Sequence, residues 1–370
     1  MNLVILHFAE YASGGVATYL KDLISAQCKL DYVTKIYVLL SKKNSDSELL
    51  NFTNQKVIIM PYDYKRSVYG VLKLLRETKK INRINPDVIH IHSSFAGLIR
   101  LKFIFSSLKN KAIYCSHGWP FNRDINKLNK LFYQLIEGVL ALGCQRIINI
   151  SKSESSNVMF IPSRKMETIY NSIPERKNEE IKSVNTYNKN TKSINLLFVG
   201  RLDRQKGVDI LIKALNMVNK DGYFKLGVVG DTVINPIFEK NNDTNIKFYG
   251  WQKKQAVQNF IDACNVLIIP SRWEGFGLVA LEGMRAGKAI VASNAGALPE
   301  IVDNNKTGFI FNSESIKDLC SVLEHLRNLS ADEIEKLGLN GKIKFKNQFN
   351  YEDMVSKIMK VYDEIFSLND

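Results

Sequence analysis

The stretch VLIIPSRWEGFGLVALEGMRAGKAIVAS, Val266 to Ser293, decides the fold. It opens on a short apolar run, passes through a glycine-rich loop, continues as a run compatible with a helix, and closes on a second apolar run. Short uninterrupted apolar runs suit strands buried on both faces, and parallel strands need a crossover connection, usually a helix. The stretch therefore reads as strand, loop, helix, strand. Working outward, the same scheme continues through INLLFVG, FKLGVVG and IKFYG on one side and GFIF on the other. It also fills the first half, with NLVILHFA, KIYVLL, KVIIM, DVIHI, KAIYCS and RIINI as strands and helices expected over 16–29, 67–83, 95–108 and 126–142. Such alternation predicts an open, doubly wound α/β sheet, formed once in each half.

A chain of 370 residues suits two domains of roughly 100–200 residues each. Residues 1–172 are expected to form the first and 194–350 the second. The polar, charged segment 173–193 between them has no apolar periodicity and reads as a linker. Residues 351–370 carry Met354, Ile358, Val361 and Ile365 at helical spacing and read as a closing amphipathic helix that packs back on the first domain. Five cysteines, at 28, 115, 144, 264 and 320, form no C-x-x-C pair, which fits reduced thiols in a cytoplasm. The start MNLVILHFAE lacks a basic n-region and reads as a buried strand, not a signal peptide. No apolar run is long enough to span a bilayer.

The formal net charge is +14, and its placement is informative. Residues 1–170 hold 24 Lys and Arg against 12 Asp and Glu, while residues 171–370 hold 27 against 25. The excess belongs to the first half and calls for an anionic partner there. No RNP, KH, zinc-finger or helix-turn-helix pattern accompanies it, so nucleic acid is not expected. Residues 65–83 contain seven basic residues and one acid, with Val68, Leu72 and Leu75 at helical spacing. Residues 100–111 add four more cations among apolar residues. Two readings stand: ordinary helices with apolar faces on the core, or a basic interfacial surface that meets anionic lipid.

In open α/β sheets ligands bind outside the carboxyl ends of strands, so the loops after the strands hold the candidate chemistry. After the first strand, Ser13, Gly14 and Gly15 precede a helix expected near Val16, an arrangement that favours an anion at the helix start or is merely a tight turn. After INLLFVG, Arg201 and Lys206 offer a forked and a point-charge contact to a diphosphate, with Gly207 opening the next helix, or they form a solvated basic loop. After VLIIP, Gly275 and Gly277 flank Phe276, and the helix beginning near Gly277 aims free N–H groups outward. Glu274 precedes this helix and Glu282 lies inside it. Two acids in one segment suit acid/base work on a sugar; a loop running into a helix also suits a phosphate site. In the plainer reading Glu274 is favoured by the helix dipole alone and Glu282 is an exposed helical acid. SNAGALPE, after AIVAS, adds Gly296 before another short helix.

These residues resemble the retaining glycosyltransferases of family 4, with the GT-B fold. The resemblance rests on S-G-G-V, G-R-L-D-R-Q-K-G, E-G-F-G-L-V-A-L-E with its E-x₇-E spacing, A-G-K-A-I-V-A-S-N-A-G-A-L-P-E-I-V and T-G-F-I-F, and covers nearly the whole chain. It implies two Rossmann-like, doubly wound domains facing across a cleft. It implies a nucleotide-sugar donor, UDP-linked by preference with GDP open, and no required cofactor or metal. By resemblance, Gly14 and Gly15 lie beside the donor diphosphate, and Arg201 and Lys206 neutralise it as it leaves. Glu274 contacts the donor sugar, Glu282 the ribose, and backbone amides at Phe276, Gly277 and Leu278 complete the cradle. His117 reaches the sugar near the reacting centre, so the catalytic set implied is His117, Arg201, Lys206 and Glu274. Asn171 falls at the domain crossing. Ser172 and Ala297 stand where many members have glycine.

The chain contains no Asp-x-Asp, the pair with which another glycosyltransferase architecture holds a divalent ion. His90 and His92 alternate on one strand, but with no third ligand apparent no metal site is expected. The implied activity is transfer of a sugar to a saccharide acceptor. A lipid-diphosphate-linked glycan of bacterial surface polysaccharide suits the basic first half, and the enzyme is expected in the cytoplasm, peripheral on the inner face of the plasma membrane. Competing readings are a GT-B sugar-nucleotide epimerase, a phosphorylase, or a non-catalytic sugar-nucleotide-binding subunit.

Overall fold

A computed structural model describes residues 2–176, 193–232 and 244–369. The chain divides into two compact units, Met1–Pro174 with Tyr351–Asp370, and Glu175–Asn350. Most of the expected linker, residues 177–192, lies outside the described residues.

The described residues of the first unit form one parallel sheet of seven strands. These are β1 (Leu3–Ala9), β2 (Val33–Ser41), β3 (Val57–Tyr62), β4 (Val88–His92), β5 (Ala112–Cys115), β6 (Arg146–Asn149) and β7 (Met166–Thr168). Their order is β3-β2-β1-β4-β5-β6-β7. Every residue of β4 is buried, as expected of a central strand covered on both faces. The helix Tyr351–Ser367 belongs to this unit and buries Met354, Ile358, Met359, Val361 and Ile365. Burying each such side chain stabilises by roughly 1.5–3 kcal/mol.

The second unit holds β8 (Ile194–Val199), β9 (Phe224–Val229), β10 (Ile246–Phe248), β11 (Val266–Ile269), β12 (Ala289–Ser293) and β13 (Gly308–Phe311), in the order β10-β9-β8-β11-β12-β13. These strands pair in parallel throughout. Its core joins Leu196, Val228, Val266 and Val291 to Leu211 and Leu215 of the helix Val208–Val218 and to Leu323 of the helix Ile316–Arg327. Both units are doubly wound Rossmann-like sheets, and both reverse strand order in the middle, at β1/β4 and at β8/β11.

Two expected helices are broken. The segment 67–83 forms Val68–Arg76 and Thr78–Ile84. The Thr78 hydroxyl donates to the Leu75 carbonyl, a local bond that competes with the helical ladder. The segment 95–108 forms a 3₁₀ turn, Ala96–Ile99, and a short helix, Arg100–Phe103, with a further turn at Leu108–Lys111. Here the Ser106 hydroxyl accepts from Leu108 N at 3.2 Å and turns the chain. Arg100, counted among the cations of a basic surface, is fully buried instead. Its Nη2 lies 2.5 Å from Glu137 Oε2, Nε donates to Gly97 O at 2.9 Å, and the guanidinium stacks 3.5 Å from the centre of the Tyr114 ring. The Val68–Leu72 stripe does not face the core either: Val68 is 84% exposed and Leu72 52%.

Candidate functional site

In the second unit the candidate residues gather at the strand-order reversal, where open α/β sheets bind ligands. Arg201 and Lys206 follow β8, and Glu274 follows its neighbour β11. The two loops are bonded together. Arg272 N donates to Gln205 O at 2.8 Å, and Gln205 Nε2 donates to Trp273 O at 3.2 Å. Gln205 Oε1 accepts from Arg201 Nη2 at 2.8 Å, and Asp203 pairs with the same guanidinium at 3.0 Å. Arg272 clamps the base of the site through two 2.8 Å bonds to Asp209 and one to Glu314.

Lys206 Nζ lies 2.6 Å from Glu274 Oε2, and the Ser271 hydroxyl donates to the same oxygen at 3.1 Å. The cation expected at a diphosphate and the acid expected at a sugar neutralise each other. This is a half-buried pair, with side-chain exposures of 21% and 10%.

The backbone explains why glycine is required here. Gly277 is the residue before the helix Leu278–Arg285 and has φ +99°, which side chains rarely adopt, so the helix starts with no side-chain cap. Gly296 has φ +54°, and a Cβ on it falls 1.9 Å from Glu274 O. The SNAGALPE loop therefore abuts the Glu274 backbone. Ala297 has ordinary right-handed backbone, so glycine is not needed there. Phe276 is buried and meets Phe349 edge-on at 6.0 Å, leaving its backbone rather than its ring toward the site. Leu278 opens the helix and Glu282 lies within it, both half-buried.

In the first unit Gly14 precedes the helix Gly15–Gln27, again with no side-chain cap. His117 follows β5 with φ +53°, a strained backbone for a non-glycine residue. Its ring turns inward: Nε2 lies 3.0 Å from His92 Nδ1, and Nδ1 lies 3.7 Å from Cys115 Sγ. Burial lowers the His117 pKa to about 3 and that of His7 to about 4, and it also depresses His90 and His92. The expectation that His90 and His92 lack a third partner is corrected. His7 sits directly opposite His90 across β1 and β4, and all three rings are buried. Asn171 and Ser172 are buried in the first unit, where Ser172 N meets Met354 Sδ at 3.1 Å.

Gln205, Ser271 and the Arg272–Asp209 clamp were not singled out in sequence. Gln205 sits inside the R-L-D-R-Q-K-G motif, so only its neighbours' charges drew attention away from it. Arg272 and Asp209 lie far apart in the chain and carry no local signal.

Residues 13–177 match the model described as Glycosyltransferase Family 4, and residues 179–333 match that of the Glycosyl transferases group 1. An uncharacterized 41.2 kDa protein in the cps region of Klebsiella pneumoniae is 30% identical, across 97% of this chain and 99% of its own length. The UDP-Gal:alpha-D-GlcNAc-diphosphoundecaprenol alpha-1,3-galactosyltransferase of Escherichia coli is 25% identical, across 80% of this chain and 79% of its own. Among solved structures, Anabaena HepE in complex with UDP and glucose matches with a TM-score of 0.75 at 18% identity, over 98% of this chain and 100% of that one. The two family matches divide the chain as its two Rossmann-like sheets do, and the chain belongs to the family 4 glycosyltransferases of GT-B fold.

Proposed function

We propose that this glycosyltransferase moves a sugar from a UDP-sugar to a lipid-diphosphate-linked saccharide during surface-polysaccharide assembly, with retention of anomeric configuration. The observation that carries the reading is the pairing of Lys206 with Glu274 at the carboxyl ends of β8 and β11, with Arg201 tied to the same two loops through Gln205. The donor class draws support from the UDP in HepE, and the acceptor class from the name of the Escherichia coli relative. A screen of purified protein against UDP- and GDP-sugars, with lipid-linked acceptors, tests both; turnover with GDP-sugars alone overturns the donor assignment.

Sugar transfer requires the bond from the anomeric carbon to the diphosphate to break. Positive charge then develops on the sugar and negative charge on the departing phosphate. Arg201, Lys206 and the N–H groups at the helix start, Gly277 and Leu278, are preorganised to meet that negative charge. Lys206 exchanges the Glu274 carboxylate for phosphate, and Glu274 turns to the donor hydroxyls. Glu282 holds the ribose. His117 reaches a sugar hydroxyl only by giving up one of its two inward contacts. The acceptor hydroxyl attacks the face the diphosphate leaves, and its proton passes to a phosphate oxygen, so no protein nucleophile is used. The product anomer should match the donor's when read by NMR; inversion sinks this mechanism.

For the acceptor side, the helix Lys127–Leu140 supports membrane docking. Its polarity is inverted: Gln134 and Glu137 are buried, while Leu128, Leu131, Phe132, Leu135 and Val139 are exposed, Leu128 by 79%. Exposed Lys127 and Lys130 flank that stripe, and Phe105 is 88% exposed in the same unit. Apolar side chains in water with cations beside them suit an anionic lipid surface. Vesicles of anionic lipid should pellet the protein at physiological salt, and Phe132→Asp with Leu128→Asp should abolish pelleting. A protein that stays in the supernatant yet glycosylates a soluble acceptor rules the docking out.

A further inference from the structure

We propose that His7, His90 and His92 form a binding site for a divalent transition-metal ion inside the first unit, a structural site one hydrogen bond away from His117. Strand pairing builds it. β1 and β4 are parallel neighbours, and the register sets His7 opposite His90. His92, two residues on, projects from the same face as His90. One ring nitrogen from each lies within 4.8 Å of the others.

Each ring is already held by its second nitrogen. His7 Nε2 faces Gln27 Oε1 at 2.9 Å, which requires the proton on that nitrogen and leaves Nδ1 with its lone pair. His90 Nδ1 lies 2.7 Å from the Tyr362 hydroxyl. His92 Nδ1 lies 3.0 Å from His117 Nε2. Metal-binding histidines are oriented in this way, by a partner on the nitrogen that does not touch the ion.

The remaining nitrogens need an occupant. His7 Nδ1 and His92 Nε2 face each other at 3.0 Å. A proton shared between them satisfies those two alone. His90 Nε2 is buried and has no partner, and the buried Tyr19 hydroxyl, on a ring 5.9 Å from that of His92, has none either. Unpaired buried polar atoms are costly, so two in one cluster point to a group that would satisfy them. Bonds of about 2.0–2.1 Å to a tetrahedral ion set ligand nitrogens roughly 3.3 Å apart, which small ring movements reach from the spacing here. Three imidazoles and no carboxylate select zinc, copper, nickel or cobalt over magnesium or calcium.

The test uses the full chain carrying no histidine tag, stripped with chelator and titrated with Co²⁺ and Zn²⁺. One Co²⁺ per chain should bind with visible d–d absorption, Zn²⁺ should displace it, and Zn²⁺ should raise the melting temperature. His90→Asn should remove binding, and Gln27→Met, which touches the ion through no atom, should weaken it roughly 10–100-fold. His325→Ala, in the second unit, should bind as the parent does. The absence of stoichiometric binding of either ion by folded, stripped protein overturns the site. So does undiminished binding by Gln27→Met and His90→Asn, each with a parental circular-dichroism spectrum.

Discussion

Replacing Lys206 with methionine should lower turnover at saturating donor by roughly 10²-fold, the usual effect of removing one preorganised group from a developing anion. Glu274→Gln should cost a similar factor through lost contacts to the donor sugar. The double variant decides what the 2.6 Å pair is for. If Lys206 and Glu274 matter because each neutralises the other, removing both leaves no unpaired charge and restores activity. If each acts on a different end of the donor, the double variant is no better than the worse single one. The second outcome is expected. Arg201→Ala, read beside them, should also lose well over tenfold; near-parental rates in all three would falsify the site.

The second large effect is on stability. Glu137→Ala leaves the Arg100 guanidinium buried beside Tyr114 with no anion, and breaking a buried pair from one side costs about 3–5 kcal/mol. For a unit of this size the melting transition should fall by on the order of 10 °C. Replacing both partners, Arg100→Met with Glu137→Leu, should recover most of the loss, because neither charge then needs desolvation. Differential scanning calorimetry reads both, and a double variant as unstable as Glu137→Ala contradicts the account. The second residue also bears on the docking helix, since Glu137 is one of its two inward polar anchors.

The strands were legible because parallel strands buried on both faces are mostly apolar, and VLII and AIVA are wholly so. β7 went unread: Met166–Thr168 is short and half-buried, so its composition carries no such demand. Glycine positions were legible for a local reason. Gly277 answers a backbone angle and Gly296 a contact, and both stand inside recognisable loops. What sequence could not supply was pairing. His7 beside His90 follows from register between β1 and β4, and Lys206 beside Glu274 from the adjacency of β8 and β11. The Arg100–Glu137 pair shows the converse: a cation in a basic run reads as surface until a distant acid is placed against it.

The helix Tyr351–Ser367 has a consequence for how the chain is made. Because it completes the first unit, the contiguous residues of the second are synthesised before the first can finish. His90 waits for Tyr362, its partner 272 residues later. At about 5–20 residues per second a ribosome needs roughly 15–55 s to bridge that gap. Through this interval the surfaces that the helix will cover stay open, so the first unit should be the one that depends on chaperones during translation, and the second should reach protease resistance first.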